Sequence, residues 1–123
     1  MGYTDESLAD AGRAIQQQLW GPQHGGASGG VAGEYYGLVQ QYCFGLFWTR
    51  ENLSVKNRSL VTVSQLAALG RLPELKAHLR GALSVGWTRE ELIEVLMQTG
   101  IYCGVPAGVN ALNAAAEVLG EPD

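Results

Sequence analysis

Apolar side chains recur every three or four positions along most of this chain, the spacing that gathers them on one face of an α-helix. Leu8, Ala11, Ile15 and Leu19 form the first stripe and predict a helix over residues 4–19, with Thr4 or Asp5 as its cap. Trp20-Gly21-Pro22 ends it. Residues 21–33 hold six glycines in thirteen positions and read as a flexible connection. Its Gly25–Gly30 run looks superficially like a phosphate loop, but Val31 stands where such a loop needs lysine.

The helical period resumes over 34–48 through Tyr35, Leu38, Val39, Tyr42, Cys43 and Leu46, with a bend expected near Gly45. Residues 54–69 are apolar round most of the circumference, which predicts a central, buried helix closed by Gly70. Pro73, suited to a first turn, opens another helix that runs to Gly86 with Leu75, Leu79, Ala82 and Leu83 inward. Thr88-Arg-Glu-Glu91 is a capping box, and the helix it starts is expected to end near Gly100. An Ala-rich helix from Pro106 to Leu119 closes at Gly120. No segment alternates as a strand. The expected architecture is all-α, a single-domain bundle of about six helices.

The chain's 123 residues leave no room for a second independent core. Only 16% of them are charged, against ~25% in typical soluble proteins. Sparse charge with ample apolar surface points to cover by partner subunits, or simply to Ala-rich helices. The net charge of −4 argues against nucleic acid as a partner. Seven of the eight Lys and Arg residues nevertheless lie between Arg50 and Arg89, opposed there only by Glu51 and Glu74, so an anionic small molecule is a natural client. No apolar run is long enough to span a membrane, and the acidic start through Asp5, Glu6 and Asp10 is unlike a signal peptide; a cytoplasmic setting is expected. Cys43 and Cys103 are far apart in sequence and read as two buried structural thiols, a catalytic thiol being the lesser alternative.

Two blocks carry a resemblance. One is Phe47-Trp-Thr-Arg-Glu-Asn-Leu53 with Arg58-Ser-Leu-Val-Thr-Val63 and Ala67-Ala-Leu-Gly70. The other is Glu74-Leu-Lys-Ala-His-Leu-Arg-Gly-Ala-Leu83, then Gly86-Trp-Thr-Arg-Glu-Glu-Leu-Ile-Glu-Val-Leu-Met-Gln98 and Ile101-Tyr-Cys-Gly-Val-Pro106. Over residues 34–119 the chain resembles the carboxymuconolactone decarboxylase family. The related alkylhydroperoxidase D-like proteins use a C-x-x-C-x-x-x-H motif. Counting back from His78 puts Glu74 and Arg71 at those cysteine positions, so a two-thiol peroxidase is excluded.

The resemblance implies a cofactor-independent carbon–carbon lyase, with no metal, that removes CO2 from a small anionic lactone such as 4-carboxymuconolactone in aromatic-acid degradation. It also implies a homo-oligomer, a trimer or hexamer. On this reading His78 donates the proton, and Glu74 one turn earlier holds its tautomer or raises its pKa; otherwise the two form a surface pair. Arg50 and Arg58 anchor carboxylates, with Arg80 a third candidate, although Arg58 equally suits a role at the start of its own helix. Glu94, expected on an inner face, orients His78, acts as an acid or sits in an ion pair. Tyr102 donates its phenol to a carbonyl oxygen or is an ordinary buried tyrosine. Trp48 walls the pocket or a subunit interface.

Leu46, Glu51-Asn52 and Ser84-Val85 depart from the family pattern of Glu, Pro-Gly and Asn-Asn, which bears on the substrate. A relative acting on another lactone or a polyketide-type compound, and a non-catalytic organic-acid binder, are the alternatives.

Overall fold

Asp5 sets the start of the first helix. Its carboxylate accepts from the backbone N–H groups of Ser7 (3.0 Å) and Leu8 (3.1 Å), two donors that a helix start leaves without partners. The structure, a computed structural model, describes residues 5–26 and 29–120; the alternative cap Thr4 lies outside them. Helix α1 spans Glu6–Trp20 and buries Ala9, Gly12, Ile15 and Leu19. Helix α2 spans Gly33–Leu38 and runs without a break into a π-helical segment, Val39–Phe47.

That segment replaces the expected bend at Gly45. The winding widens to the i→i+5 pattern, as in the bond from Trp48 N–H to the Cys43 carbonyl (3.0 Å). Gly45 serves packing instead. A Cβ there would lie 2.1 Å from the Leu8 carbonyl oxygen, and one on Gly12 would lie 1.9 Å from that of Gln40. Helix α1 and the π-helical segment therefore touch backbone to backbone, a closeness that only glycine permits. Buried Gln41 ties them further, accepting from the Asp5 N–H (2.8 Å) and donating to the Gly37 carbonyl (3.2 Å).

The Gly-rich connection is less free than its composition suggests. Along its described length it is bound back, with the Gly25 carbonyl accepting from Arg13 Nε (3.0 Å) and from Gln40 Nε2. Gln17 Nε2 donates to the Pro22 carbonyl (3.2 Å). Ala27 and Ser28 lie outside the described residues.

The chain divides into two compact units at the Val55–Lys56 bond. The second contains α3 (Val55–Leu69), α4 (Leu72–Ser84), α5 (Arg89–Cys103) and α6 (Val105–Leu119). Val63, Ala67, Leu75, Leu79, Ala82, Leu92, Leu96, Ala111, Ala114 and Ala115 make its core. Small residues let α6 lie close on α5. A Cβ on Gly100 would fall 2.9 Å from Gly108 Cα, which explains why Gly100 does not end its helix: it is the crossing point, and α5 continues to Cys103. The capping box at the start of α5 forms as expected, Thr88 Oγ1 accepting from Glu91 N–H (3.1 Å) and Glu91 Oε1 from Thr88 N–H (2.9 Å).

Helix α3 departs from expectation. Only Arg58, Ser59, Val63 and Ala67 are buried, while Val61 and Leu69 are exposed. Its apolar residues divide between the core and an outward face, so the low charge of this helix does not mark a fully enclosed element. Among the described residues there are six α-helices and the π-helical segment, with no strand. No helix among them is long and apolar enough to cross a membrane.

Candidate functional site

Helix α4 turns Leu75, Leu79 and Ala82 into the core and carries His78 at the margin of that face, half-buried, with Nδ1 shielded from solvent. Burial penalises the imidazolium and pulls the His78 pKa down to about 4. The direction is opposite to the one expected from a carboxylate partner. Glu74 is exposed, and desolvation is the cause of the shift. At neutral pH this imidazole is therefore uncharged, one nitrogen donating and the other accepting. Arg80 lies two residues on, about 200° round a helix, and is exposed; it does not share the His78 face.

Arg58 sits in the first turns of α3 and is 9% exposed. A guanidinium keeps its charge at any accessible pH, so this is a permanent buried cation. Its neighbour Ser59 is fully buried, and no signal in the sequence set it apart from the other serines. Glu94 lies on the exposed side of α5, not the inner one, because Leu92, Leu96, Thr99 and Gly100 fill the inner positions.

Tyr102 is 82% exposed rather than buried. It lines an open groove of about 550 Å³ between α3 and α5, together with Leu60, Val61, Ala68, Val95 and Cys103 and four uncharged polar side chains. That lining includes neither His78 nor Arg58, so Tyr102 is not brought to the histidine by the groove.

In the first unit, Trp48 is only 6% exposed. It packs on Phe44 at 5.6 Å between ring centroids, and Phe44 in turn meets Trp20 edge-on at 5.7 Å. This tryptophan contributes to the interior of its unit. Arg50 is exposed, its guanidinium carbon 5.7 Å from the centre of the Phe47 ring. Both cysteines are exposed, contrary to the expectation of buried thiols. Partial desolvation still raises the Cys43 pKa, tempered by a hydrogen bond with Trp48, which disfavours the nucleophilic thiolate.

The basic stretch from residue 50 to 89 is thinner than its count. Arg89 donates to the Gly120 carbonyl from Nη2 (2.8 Å) and Nε (3.2 Å), satisfying the open carbonyl end of α6. Lys76 pairs with Glu117, and Lys56 Nζ lies 4.7 Å over the Trp87 ring, whose Nε1–H donates to the Lys56 carbonyl. Those three cations are engaged within the chain and hold the fold together. Among the described residues no three His, Cys, Asp or Glu side chains gather into a metal-binding group.

Comparison with known proteins gives consistent matches. The model of the carboxymuconolactone decarboxylase family matches residues 33–117, from the start of α2 into α6. The 4-carboxymuconolactone decarboxylase of Acinetobacter baylyi is 32% identical over 119 residues, covering 94% of this chain and 89% of that protein. A nitrosuccinic acid decarboxylase of Metarhizium robertsii is 30% identical over 84 residues, 68% of this chain and 59% of that protein. An uncharacterized 15.0 kDa protein of Paracoccus denitrificans is 37% identical over 82 residues, 65% of this chain and 61% of that one.

Proposed function

The chain belongs to the carboxymuconolactone decarboxylase family, and from that premise we propose that it decarboxylates a small organic acid whose leaving carboxylate adjoins an electron-accepting group. The observation that carries this reading is His78, a desolvated neutral imidazole inside the matched region.

The substrates named for the two decarboxylase relatives share a chemistry. In 4-carboxymuconolactone, the electron pair of the breaking C–CO2 bond passes through a ring double bond onto the lactone carbonyl. In nitrosuccinic acid, the nitro group receives the pair as a nitronate. Each reaction then needs one proton on carbon and no net oxidation or reduction. The protein's tasks are to hold the acid, to stabilise the oxyanion and to return that proton.

Arg58 is the anchor in this reading, since a guanidinium fork matches a carboxylate bidentately. His78 supplies the proton in two stages. In the free protein burial keeps it neutral. When a dianionic ligand enters, nearby negative charge favours the imidazolium and raises the pKa, so the ligand brings a proton with it. The charged form then stands beside the carbon that takes up the proton, in the lactone the ring carbon alpha to the carbonyl. Glu74, Glu94, Arg80 and Tyr102 are exposed and are assigned no step.

The sign of this coupling makes it testable. Between pH 5 and pH 7, above the free value of about 4, binding of an unreactive dicarboxylate should take up close to one proton per chain. An indicator dye in weakly buffered solution, alongside calorimetry in buffers of different ionisation enthalpy, reads the uptake. His78→Asn should still bind the ligand with no uptake. Binding without proton uptake in the unaltered protein would remove His78 as the donor.

A further inference from the structure

Ser59 has no part in the chemistry described so far. It is fully buried, and its Oγ has no hydrogen-bond partner among the described residues. A helical serine has an acceptor close by, because its hydroxyl can donate to the carbonyl one turn back. Every other serine or threonine within α3–α6 does so: Thr62 to Arg58 (2.9 Å), Ser64 to Leu60 (3.2 Å), Ser84 to Arg80 (3.2 Å) and Thr99 to Val95 (2.9 Å). The Val55 carbonyl stands one turn before Ser59, and the hydroxyl does not use it. A buried hydroxyl left unbonded costs stability, which a ligand oxygen accepting from it would offset.

The place of Ser59 in the fold points to that ligand. It follows Arg58 directly, and both are buried near the start of α3. Successive helix positions lie ~1.5 Å apart along the axis and roughly 100° apart round it, so the pair flanks a small acid. Ser59 also begins the stripe that continues one and two turns on through Val63 and Ala67, which pack with Leu75 and Leu79 of α4. The two helices form an antiparallel hairpin. Arg71 N–H donates to the Leu66 carbonyl at its closed end (3.0 Å), and Trp87 Nε1–H to the Lys56 carbonyl at its open end (2.6 Å). Ser59 therefore lies on the α3 side of an interface whose α4 side carries His78 at its margin.

We infer that the Ser59 hydroxyl donates a hydrogen bond to the ligand oxygen on which negative charge gathers as CO2 leaves. The inference rests on the decarboxylase reading and fills the one task there that neither anchor nor proton donor performs, stabilising the oxyanion. No bond to Ser59 forms or breaks. The electron pair of the C–CO2 bond moves onto the lactone carbonyl or the nitro group, and the serine keeps its proton while sharing it with that oxygen. Seclusion from water makes this bond count for more than the same bond in solution. Because Ser59 is closed off in the ligand-free chain, the acid reaches it only as neighbouring side chains part on binding.

Ser59→Ala separates this role from a structural one, because the two predict opposite results. Without the unbonded hydroxyl, the free protein should unfold at the same or a higher denaturant concentration. Turnover of whichever acid the protein accepts should nevertheless fall by roughly 10²–10³-fold, in kcat with KM little changed, as for removal of one oxyanion donor. Ser59→Cys, close in size but a weak donor, should also lose rate. Proton uptake on binding of an unreactive dicarboxylate should stay as in the unaltered protein.

A titration reads the same bond without turnover. Loss of CO2 from nitrosuccinic acid leaves the nitronate of 3-nitropropanoate, which persists in alkaline solution and serves as the probe. Calorimetry should show its affinity falling about tenfold or more in Ser59→Ala, with that for succinate unchanged. If the protein turns over either acid, unchanged kcat in Ser59→Ala would overturn the inference and leave the decarboxylase reading standing. If it turns over neither, that reading fails and the titration decides Ser59 by itself: unchanged affinity, or no nitronate binding by the unaltered protein, overturns the inference. So does a Ser59→Ala protein less stable than the unaltered one, since its hydroxyl would then be satisfied within the fold.

Discussion

His78→Ala should lower turnover by roughly 10²–10⁴-fold, the range that positioned proton transfer contributes to catalysis. The loss is expected in kcat more than in KM. The histidine's part comes after binding, when the anion left by loss of CO2 must be protonated on carbon, whereas Arg58 holds the ground state. What remains would come from oxyanion stabilisation and orientation. Adding free imidazole to His78→Ala should restore part of the rate, because the truncation leaves a space of imidazole size. His78→Gln, which keeps a hydrogen-bond donor but cannot deliver a proton, should resemble alanine. Steady-state kinetics on folded variants decide the matter, and unchanged kcat in His78→Ala would return the histidine to a packing role.

Gly12→Ala is expected to destabilise the protein by about 3 kcal/mol, at the upper end of what overpacking costs. Helix propensity alone predicts the opposite, a gain of roughly 1 kcal/mol for replacing glycine inside a helix. Distance settles which effect wins. The new methyl would lie 1.9 Å from the Gln40 carbonyl oxygen and 3.0 Å from Gly45 N, and both are backbone atoms that cannot swing aside. Relief requires α1 to separate from the π-helical segment, giving up the buried contacts around Ile15 and Leu19. Gly37→Ala is the control. It lies in α2 with nothing within 4 Å of the added carbon, so it should be neutral or stabilising. Denaturant unfolding of the two variants measures the contrast, and equal stability of both would mean that the close crossing is absent.

The positions of the helices were legible because apolar period and capping chemistry are local. The Thr88 box, the Pro73 start and the Asp5 cap act through neighbours within four residues, and each forms as the spacing implies. What depends on distant parts of the chain was not legible. A π-helical winding needs a backbone neighbour at Gly12 to explain it, and Gly45 alone reads as a bend. An apolar stripe looks the same whether it faces a core or the outside, so the spacing predicts an α3 buried all round where the structure leaves Val61 and Leu69 exposed.

The candidate site shows the same division. The family resemblance singled out His78 and Arg58, but the charge state of the histidine follows from burial, which the sequence does not report. Glu74 at i−4 suggested a raised pKa because the pairing rule sees only the helix itself. Desolvation by packing overrides it. Similarly, Arg89, Lys76 and Lys56 counted towards an anion-binding stretch until their partners, 31 to 41 residues away in sequence, were in view.

The central claim is loss of CO2 with return of a proton to carbon. NMR of the purified protein mixed with 4-carboxymuconolactone in D2O, and separately with nitrosuccinic acid, tests it most directly. The expected result is release of CO2 from at least one of them, with a single deuterium incorporated at the carbon that receives the proton. If folded protein left both acids unchanged while binding them, the decarboxylase assignment for this chain would be contradicted.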